Sequence, residues 1–242
     1  MVMQRNLGVI QYSNEIDFSI TTYCQAKCRS CARTNENTGE KEDWLALKHM
    51  NLNVFKNTLE NSPNLKYFQI EFCGELGDPM MHPEIDKFIE TALDFAPQVT
   101  ISTNGALRNP DWYAKIVKKY KEKVHIRWAI DGADHNTNWK YREGVNWQRA
   151  MDNMTAYIKS GGIGQWNFLI FKWNWHQIPL ARKLADDINI SVYFKFNIRP
   201  FGLISDEDKQ KALKLLHDDE ILTGARGWSL GPVPTLKNWG WS

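Results

Sequence analysis

Long apolar runs are missing from this sequence. No stretch approaches the roughly 18 apolar residues of a membrane span, and the opening MVMQRNLGVIQYSNEIDF has no apolar core bounded by a cleavage site, so neither a spanning helix nor an export signal is expected. An excess of charge is missing too: 30 Lys and Arg stand against 28 Asp and Glu, a formal net charge of +2. That balance gives no reason to expect nonspecific binding to nucleic acid or to a membrane surface. Cysteine is scarce, with four in 242 residues, and three of the four fall within eight positions. A disulfide framework would spread its cysteines along a small secreted chain. Clustering in a chain without an export signal points to metal instead, and the expected location is the cytoplasm.

What is present is ordinary for a globular chain, with 43% apolar and 24% charged residues and enough length for one α/β domain with a sizeable core. The 11 tryptophans are the one compositional excess, read either as packing or as a stacking surface for an aromatic substrate. Short runs rich in β-branched and aromatic residues alternate with helix-periodic segments. Residues 15–21, 66–72, 99–103, 124–130, 166–171 and 191–196 read as strands. Between them, Ile85, Phe88, Ile89, Ala92 and Leu93 follow Pro83 at helical spacing, and Tyr113, Ile116, Val117 and Tyr120 repeat the pattern. Trp147, Ala150, Met151 and Met154 do so again, as do Ala181, Leu184, Ala185 and Ile188. Asn51 and Asn109 are the expected N-caps of the helices after the first and third strands. A strand recurs at about the 30-residue length of a βαβ unit. Six such units imply a mostly parallel, curved sheet with helices outside, too few to close an eight-stranded barrel. Ligands bind beyond the carboxyl ends of the strands in such sheets, so the chemistry should sit there.

It does. The first strand runs into Tyr23-Cys24-Gln25-Ala26-Lys27-Cys28-Arg29-Ser30-Cys31. Three thiolates on one tight loop wrap three corners of an iron–sulfur cubane and leave the fourth iron open to another ligand. A structural zinc ion completed by Cys73 or His82, in a noncatalytic structural or adaptor domain, is the competing reading. Cys73 alone reads as a small buried residue of the second strand, and His82 as a cap or loop residue.

The C-x-x-x-C-x-x-C spacing directly after the first strand resembles the signature of the radical S-adenosylmethionine (SAM) superfamily. That resemblance implies a partial (β/α)6 TIM-type barrel and a 4Fe–4S cluster on Cys24, Cys28 and Cys31, whose open iron is chelated by SAM. It also implies reductive cleavage of SAM to a 5′-deoxyadenosyl radical that abstracts hydrogen from an organic substrate. Phe72-Cys73-Gly74-Glu75 resembles the family's glycine–glutamate motif, in which Gly74 allows close backbone approach and Glu75 receives the SAM amine. Ser102-Thr103-Asn104-Gly105 is similar to a turn common in the family, with Ser102 and Asn104 toward SAM. Asp131, before Gly132, would accept from ribose hydroxyls or face the substrate, and Asn174 is a further SAM or substrate candidate. Each of these turns also has a plain structural reading. The sixth strand, with Tyr193-Phe194-Lys195-Phe196, would pack near adenine, and Lys172, Lys195 and Arg199 either meet a substrate anion or are solvated rim charges.

The resemblance covers roughly residues 15 to 200, which divides the chain into an N-terminal extension (1–14), the partial barrel (15–204) and a C-terminal helix with a Trp-rich tail (205–242) that caps the sheet or shapes the pocket. Gly77-Asp78-Pro79 and Tyr141-Arg142-Glu143-Gly144 are similar to short members related to peptide-modifying maturases. Two departures count. Ser30 stands where the family usually has an aromatic residue before the third cysteine, so adenine packing falls to another side chain. No cysteine follows Cys73, which removes the auxiliary-cluster ligands of many peptide-modifying relatives. The resemblance further implies an external electron donor of flavodoxin or ferredoxin type, and a small-molecule or peptide substrate.

Overall fold

Six parallel strands in sequence order make the sheet, and every connection between them carries a helix. The computed structural model describes residues 15–64, 66 and 68–217; the N-terminal extension and the tail beyond residue 217 lie outside the described residues. In chain order the elements are β1 (Glu15–Phe18), α1 (Leu52–Glu60), β2 (Gln69–Phe72), α2 (Ile85–Phe95), β3 (Val99–Thr103), α3 (Pro110–Tyr120) and β4 (Val124–Ala129). There follow α4 (His135–Trp139), α5 (Trp147–Lys159), β5 (Ile163–Ile170), α6 (Ile178–Ile188), β6 (Ser191–Phe196) and α7 (Asp206–Leu213). The sheet order is β1-β2-β3-β4-β5-β6, curved and not closed: a partial TIM-type barrel. No helix among the described residues is long and apolar enough to cross a membrane.

Alternation along the strands sorts the two faces of the sheet. Ile70 and Phe72 of β2, Ile126 and Trp128 of β4 and Trp166 and Phe168 of β5 are wholly buried on the helix side. There Phe72 meets Phe55 of α1 and Phe88 of α2, and Trp128 meets Tyr113 of α3 and Tyr157 of α5. Residues of the opposite parity share the concave face, as the register aligns Asp17 with Glu71, Glu71 with Thr100, Arg127 with Gln165, and Leu169 with Lys195. That face is mostly polar, with Leu169 among its apolar members.

The helix starts follow the sequence. Asn51 accepts from Asn53 N–H and Asn109 from Trp112 N–H, each satisfying a donor of a first turn. Several bounds differ from expectation, β2 among them, which starts at Gln69 and not at residue 66. β1 stops at Phe18 because the next residues turn to another partner: Met50 N–H donates to Ile20 C=O at 2.8 Å and Thr22 N–H to Lys48 C=O at 3.0 Å. β5 begins three residues earlier than its aromatic run, since Ile163, Gly164 and Gln165 pair with His125, Ile126 and Arg127 of β4. Pro83 lies in the turn before α2, which starts at Ile85, and it is His82 that organises the entry. The short α4, capped by Asp134 accepting from Thr137 N–H, is too brief to show a period in sequence.

His82 is buried, with Nδ1 accepting from Glu84 N–H at 3.1 Å and Nε2 bonded to Met50 C=O at 3.0 Å. The neutral ring with the proton on Nε2 satisfies both. Burial lowers its pKa below the ordinary histidine value, with His49 and Arg108 adding to the shift and Glu84 opposing it. The unfolded chain therefore takes up a proton first as pH falls through about 6.5, and folding stability is lost from there down to the folded-state pKa. Denaturation midpoints between pH 7.5 and 5 should fall more steeply in the wild type than in His82→Gln; parallel curves would show that the ring does not titrate on unfolding.

Candidate functional site

The carboxyl ends of the strands form a rim, and the cysteine loop crosses it directly after β1. All four cysteines are free thiols. Buried Arg33 ties the loop from within, Nη1 donating to Cys24 C=O at 2.9 Å and Ala26 C=O at 3.4 Å. Lys27 N–H donates to Glu143 C=O at 2.8 Å, fastening the loop to the segment after β4, and Arg199 Nη1 donates to Ser30 C=O from the turn after β6. Ser30 itself holds a left-handed φ of 63°, a conformation uncommon outside glycine. Burial pushes the Cys24 thiol up to about 12, with Asp78 and Cys28 adding to it, and the Cys28 thiol up to about 11 against the pull of Arg142. Metal loading would therefore release protons from this loop.

The loop after β2 is pressed against the cysteine loop. A Cβ on Gly77 would lie 2.3 Å from Thr21 O and 2.7 Å from Tyr23 O, and one on Gly74 would lie 2.5 Å from Gly77 O. Both positions therefore need glycine for backbone contact within the protein. Asp78 follows, buried, and gathers three segments. It accepts from Met80 N–H at 3.0 Å, from Thr103 Oγ1 at 3.0 Å, and from the backbone and side-chain nitrogens of Asn104 at 2.8 and 2.6 Å. Its own N–H donates to Tyr23 C=O at 2.8 Å. Asn104 in turn accepts from Gln25 Nε2 at 2.7 Å and points Nδ2 at Cys24 Sγ from 3.9 Å. Asn104 thus joins the end of β3 to the first cysteine.

Past β4, Asp131 is fully buried and accepts from Arg142 Nε at 2.6 Å and Leu169 N–H at 2.7 Å. Burial pushes its carboxyl up, opposed by Arg142 and the Leu169 N–H. Arg142 Nη1 reaches Cys28 Sγ at 3.9 Å, so a chain runs from Asp131 through the guanidinium to the second cysteine. Asn174 spends its amide inside the protein, accepting from Phe171 N–H at 2.6 Å and donating to Asp131 C=O at 2.9 Å and Leu169 C=O at 2.8 Å. Tyr141, buried, packs at a tilt against Phe171 at 4.6 Å and under Arg142 at 5.2 Å, on the segment that also holds Glu143, whose C=O accepts from Lys27 of the cysteine loop.

Ser102 lies on the concave face and donates to Glu71 Oε1 at 2.5 Å. Arg127 bridges Glu71 at 2.5 Å and Glu15 at 2.7 Å, all three buried. Glu75 stands exposed in the loop after β2, with no hydrogen bond among the described residues. Sequence reasoning missed the Asp78 hub and the Glu15–Arg127–Glu71 brace. A signal was there for the second: charged residues at alternate positions inside apolar strands, where burial demands pairing.

Two tests bear on which group these residues fit. Among the described residues no three Cys, His, Asp or Glu side chains converge as ligands of a single ion. Of the two candidates for a fourth zinc ligand, His82 has both ring nitrogens engaged, and Cys73 lies in the loop after β2 near Glu71, Asp17 and Glu75. The donor set suits a cubane better: three thiols spread along one loop, with the Arg33 and Arg142 guanidinium groups close by to offset thiolate charge.

No protein-family model and no curated protein sequence matches the chain. Solved structures do match its fold. A structure of anSMEcpe with bound AdoMet superposes with a TM-score of 0.61 at 13% identity, covering 77% of this chain and 52% of that one. SuiB from Streptococcus suis, bound to S-adenosylmethionine, gives a TM-score of 0.61 at 16% identity over 83% of this chain and 46% of that one. Methylornithine synthase (PylB) gives 0.57 at 12% identity over 83% and 61%. The chain spans about half the length of the first two. In fold, the chain resembles radical SAM enzymes, peptide-modifying maturases among them.

Proposed function

We propose that this chain is a radical SAM enzyme, acting in the cytoplasm, with a 4Fe–4S cluster on Cys24, Cys28 and Cys31. The observation that carries the reading is the position of the loop: three free thiols cross the carboxyl rim of a parallel partial barrel, held there from three sides. When bound, the cluster and SAM supply reductive cleavage of the sulfonium and a 5′-deoxyadenosyl radical that abstracts hydrogen from an organic substrate.

The chain's own part is binding and orientation. Glu75, exposed on the rim, receives the SAM ammonium, and Gly74 keeps the backbone beside it narrow. Ser102, braced on Glu71, offers its hydroxyl to the cofactor from the concave face. Asn104 and Asp131 fix the cluster side of the site, the first through Gln25 and Cys24, the second through Arg142 and Cys28. Asn174 supports Asp131 from behind. Electrons come from an external flavodoxin or ferredoxin. SuiB has been solved with its precursor peptide SuiA and anSMEcpe with the Kp18Cys peptide, and a peptide or small molecule is the substrate class in keeping with that fold.

Anaerobically reconstituted protein should be brown and release 5′-deoxyadenosine from SAM on addition of dithionite. Zinc without iron or acid-labile sulfide after oxygen-free preparation would return the loop to a structural metal site.

A further inference from the structure

Charge is divided across the concave face. Glu15, Asp17, Glu71 and Glu75 stand on β1, β2 and the loop that follows, while Arg127, Lys195 and Arg199 stand on β4, β6 and the turn beyond. Two of the three cations have partners: Arg127 is held by Glu15 and Glu71, and Arg199 donates to Ser30 C=O. Lys195 differs. It is in register with Leu169, on the parity that faces the interior; the side chain is half-buried, and its Nζ is out of solvent with no acceptor among the described residues. Burial, and then Arg199, lower its pKa. Lys195 is the penultimate residue of β6, so it lies at the carboxyl end of the sheet, where the cysteine loop also crosses.

A buried ammonium without a counter-ion destabilises the fold that holds it, and a hydrophobic residue of the same length would not. An anion placed against the ammonium would supply the missing counter-charge. Glu15 and Glu71 are held by Arg127, so they do not serve Lys195 as counter-ions.

We propose that Lys195 receives an anionic group, a carboxylate or a phosphate, of the molecule that reacts at this rim. That the molecule is a substrate rests on the radical SAM reading; that the site takes an anion does not.

Melting of the full reconstituted chain, in chloride buffer at fixed ionic strength with sodium phosphate or sodium acetate added, reads the site without turnover. A saturable rise in Tm is expected for the wild type, with apparent affinity weakened about tenfold or more in Lys195→Met and held within about threefold in Lys195→Arg. The exposed Lys172→Met should follow the wild type. Without added anion, Lys195→Met should melt no lower than the wild type, since it removes a buried charge and keeps the volume. Equal anion affinity in wild type and Lys195→Met overturns the proposal, as does a lower Tm for Lys195→Met in chloride alone. Should Lys195→Met weaken SAM binding about tenfold while phosphate and acetate still bind, the anion is the cofactor's own carboxylate and the substrate assignment falls. SAM cleavage is assayed separately, so failure of the anion site and failure of the radical chemistry are distinct results.

Discussion

Alanine at any one of Cys24, Cys28 or Cys31 should reduce bound iron and acid-labile sulfide sharply and bring 5′-deoxyadenosine release to background. Three thiolates hold three irons of a cubane, and the fourth iron must stay open for SAM, so no ligand is spare. Cys73 cannot replace a lost ligand: its thiol lies past β2 among Glu71, Asp17 and Glu75, whose charge opposes a further anion there. Cys73→Ala is the matched control. It should keep full iron content and cost on the order of 1 kcal/mol of stability or less, for a small half-buried group. Quantifying iron, sulfide and 5′-deoxyadenosine in the four variants settles the matter, and a single loop variant that still cleaves SAM at the wild-type rate removes the cluster assignment.

The second large effect is expected at Asp78. Its carboxylate accepts from Met80 N–H, Thr103 Oγ1 and both nitrogens of Asn104 in a buried site. Alanine would leave these donors without an acceptor, at about 1–3 kcal/mol for each buried group that cannot reach water. Since the losses share one site and do not add fully, Asp78→Ala should cost about 3–5 kcal/mol in urea denaturation. Asp78→Asn, which keeps one acceptor, should fall between. The same substitution releases Asn104, and with it the contact to Gln25 and Cys24, so the variant should also retain less iron than its stability alone predicts. A cost below about 1 kcal/mol would mean that the three segments are held together by packing instead.

Strand–helix alternation was legible in the sequence because helices such as α2 and α3 carry a clean apolar period, and Asn51 and Asn109 mark the starts of α1 and α3. The rim was legible for the same reason: once strands are placed, the cysteine loop, Gly74-Glu75, Ser102, Asn104 and Asp131 fall at their carboxyl ends. The interior was not. The run of residues from Ile163 to Gln165 fell outside the expected strand, where Gly164 and Gln165 are weak strand formers, yet it pairs fully with β4. Long-range pairing overrides local preference there. Nor does sequence reveal that Asp78 meets Asn104 or that Asp131 meets Arg142, because those partners are brought together by the curvature of the sheet and by loops whose course has no periodic signal.

The Glu15–Arg127–Glu71 brace has a consequence for assembly. Glu15 and Arg127 are 112 positions apart, so the first strand cannot acquire its counter-ion until the fourth has been made and docked. Loop-closure entropy must be met before the guanidinium rewards it. In a nascent polypeptide emerging from the ribosome, the opening strand–helix–strand units would wait with two unbalanced carboxylates, and their charge would be balanced only late, in a step uniting the beginning of the sheet with its middle.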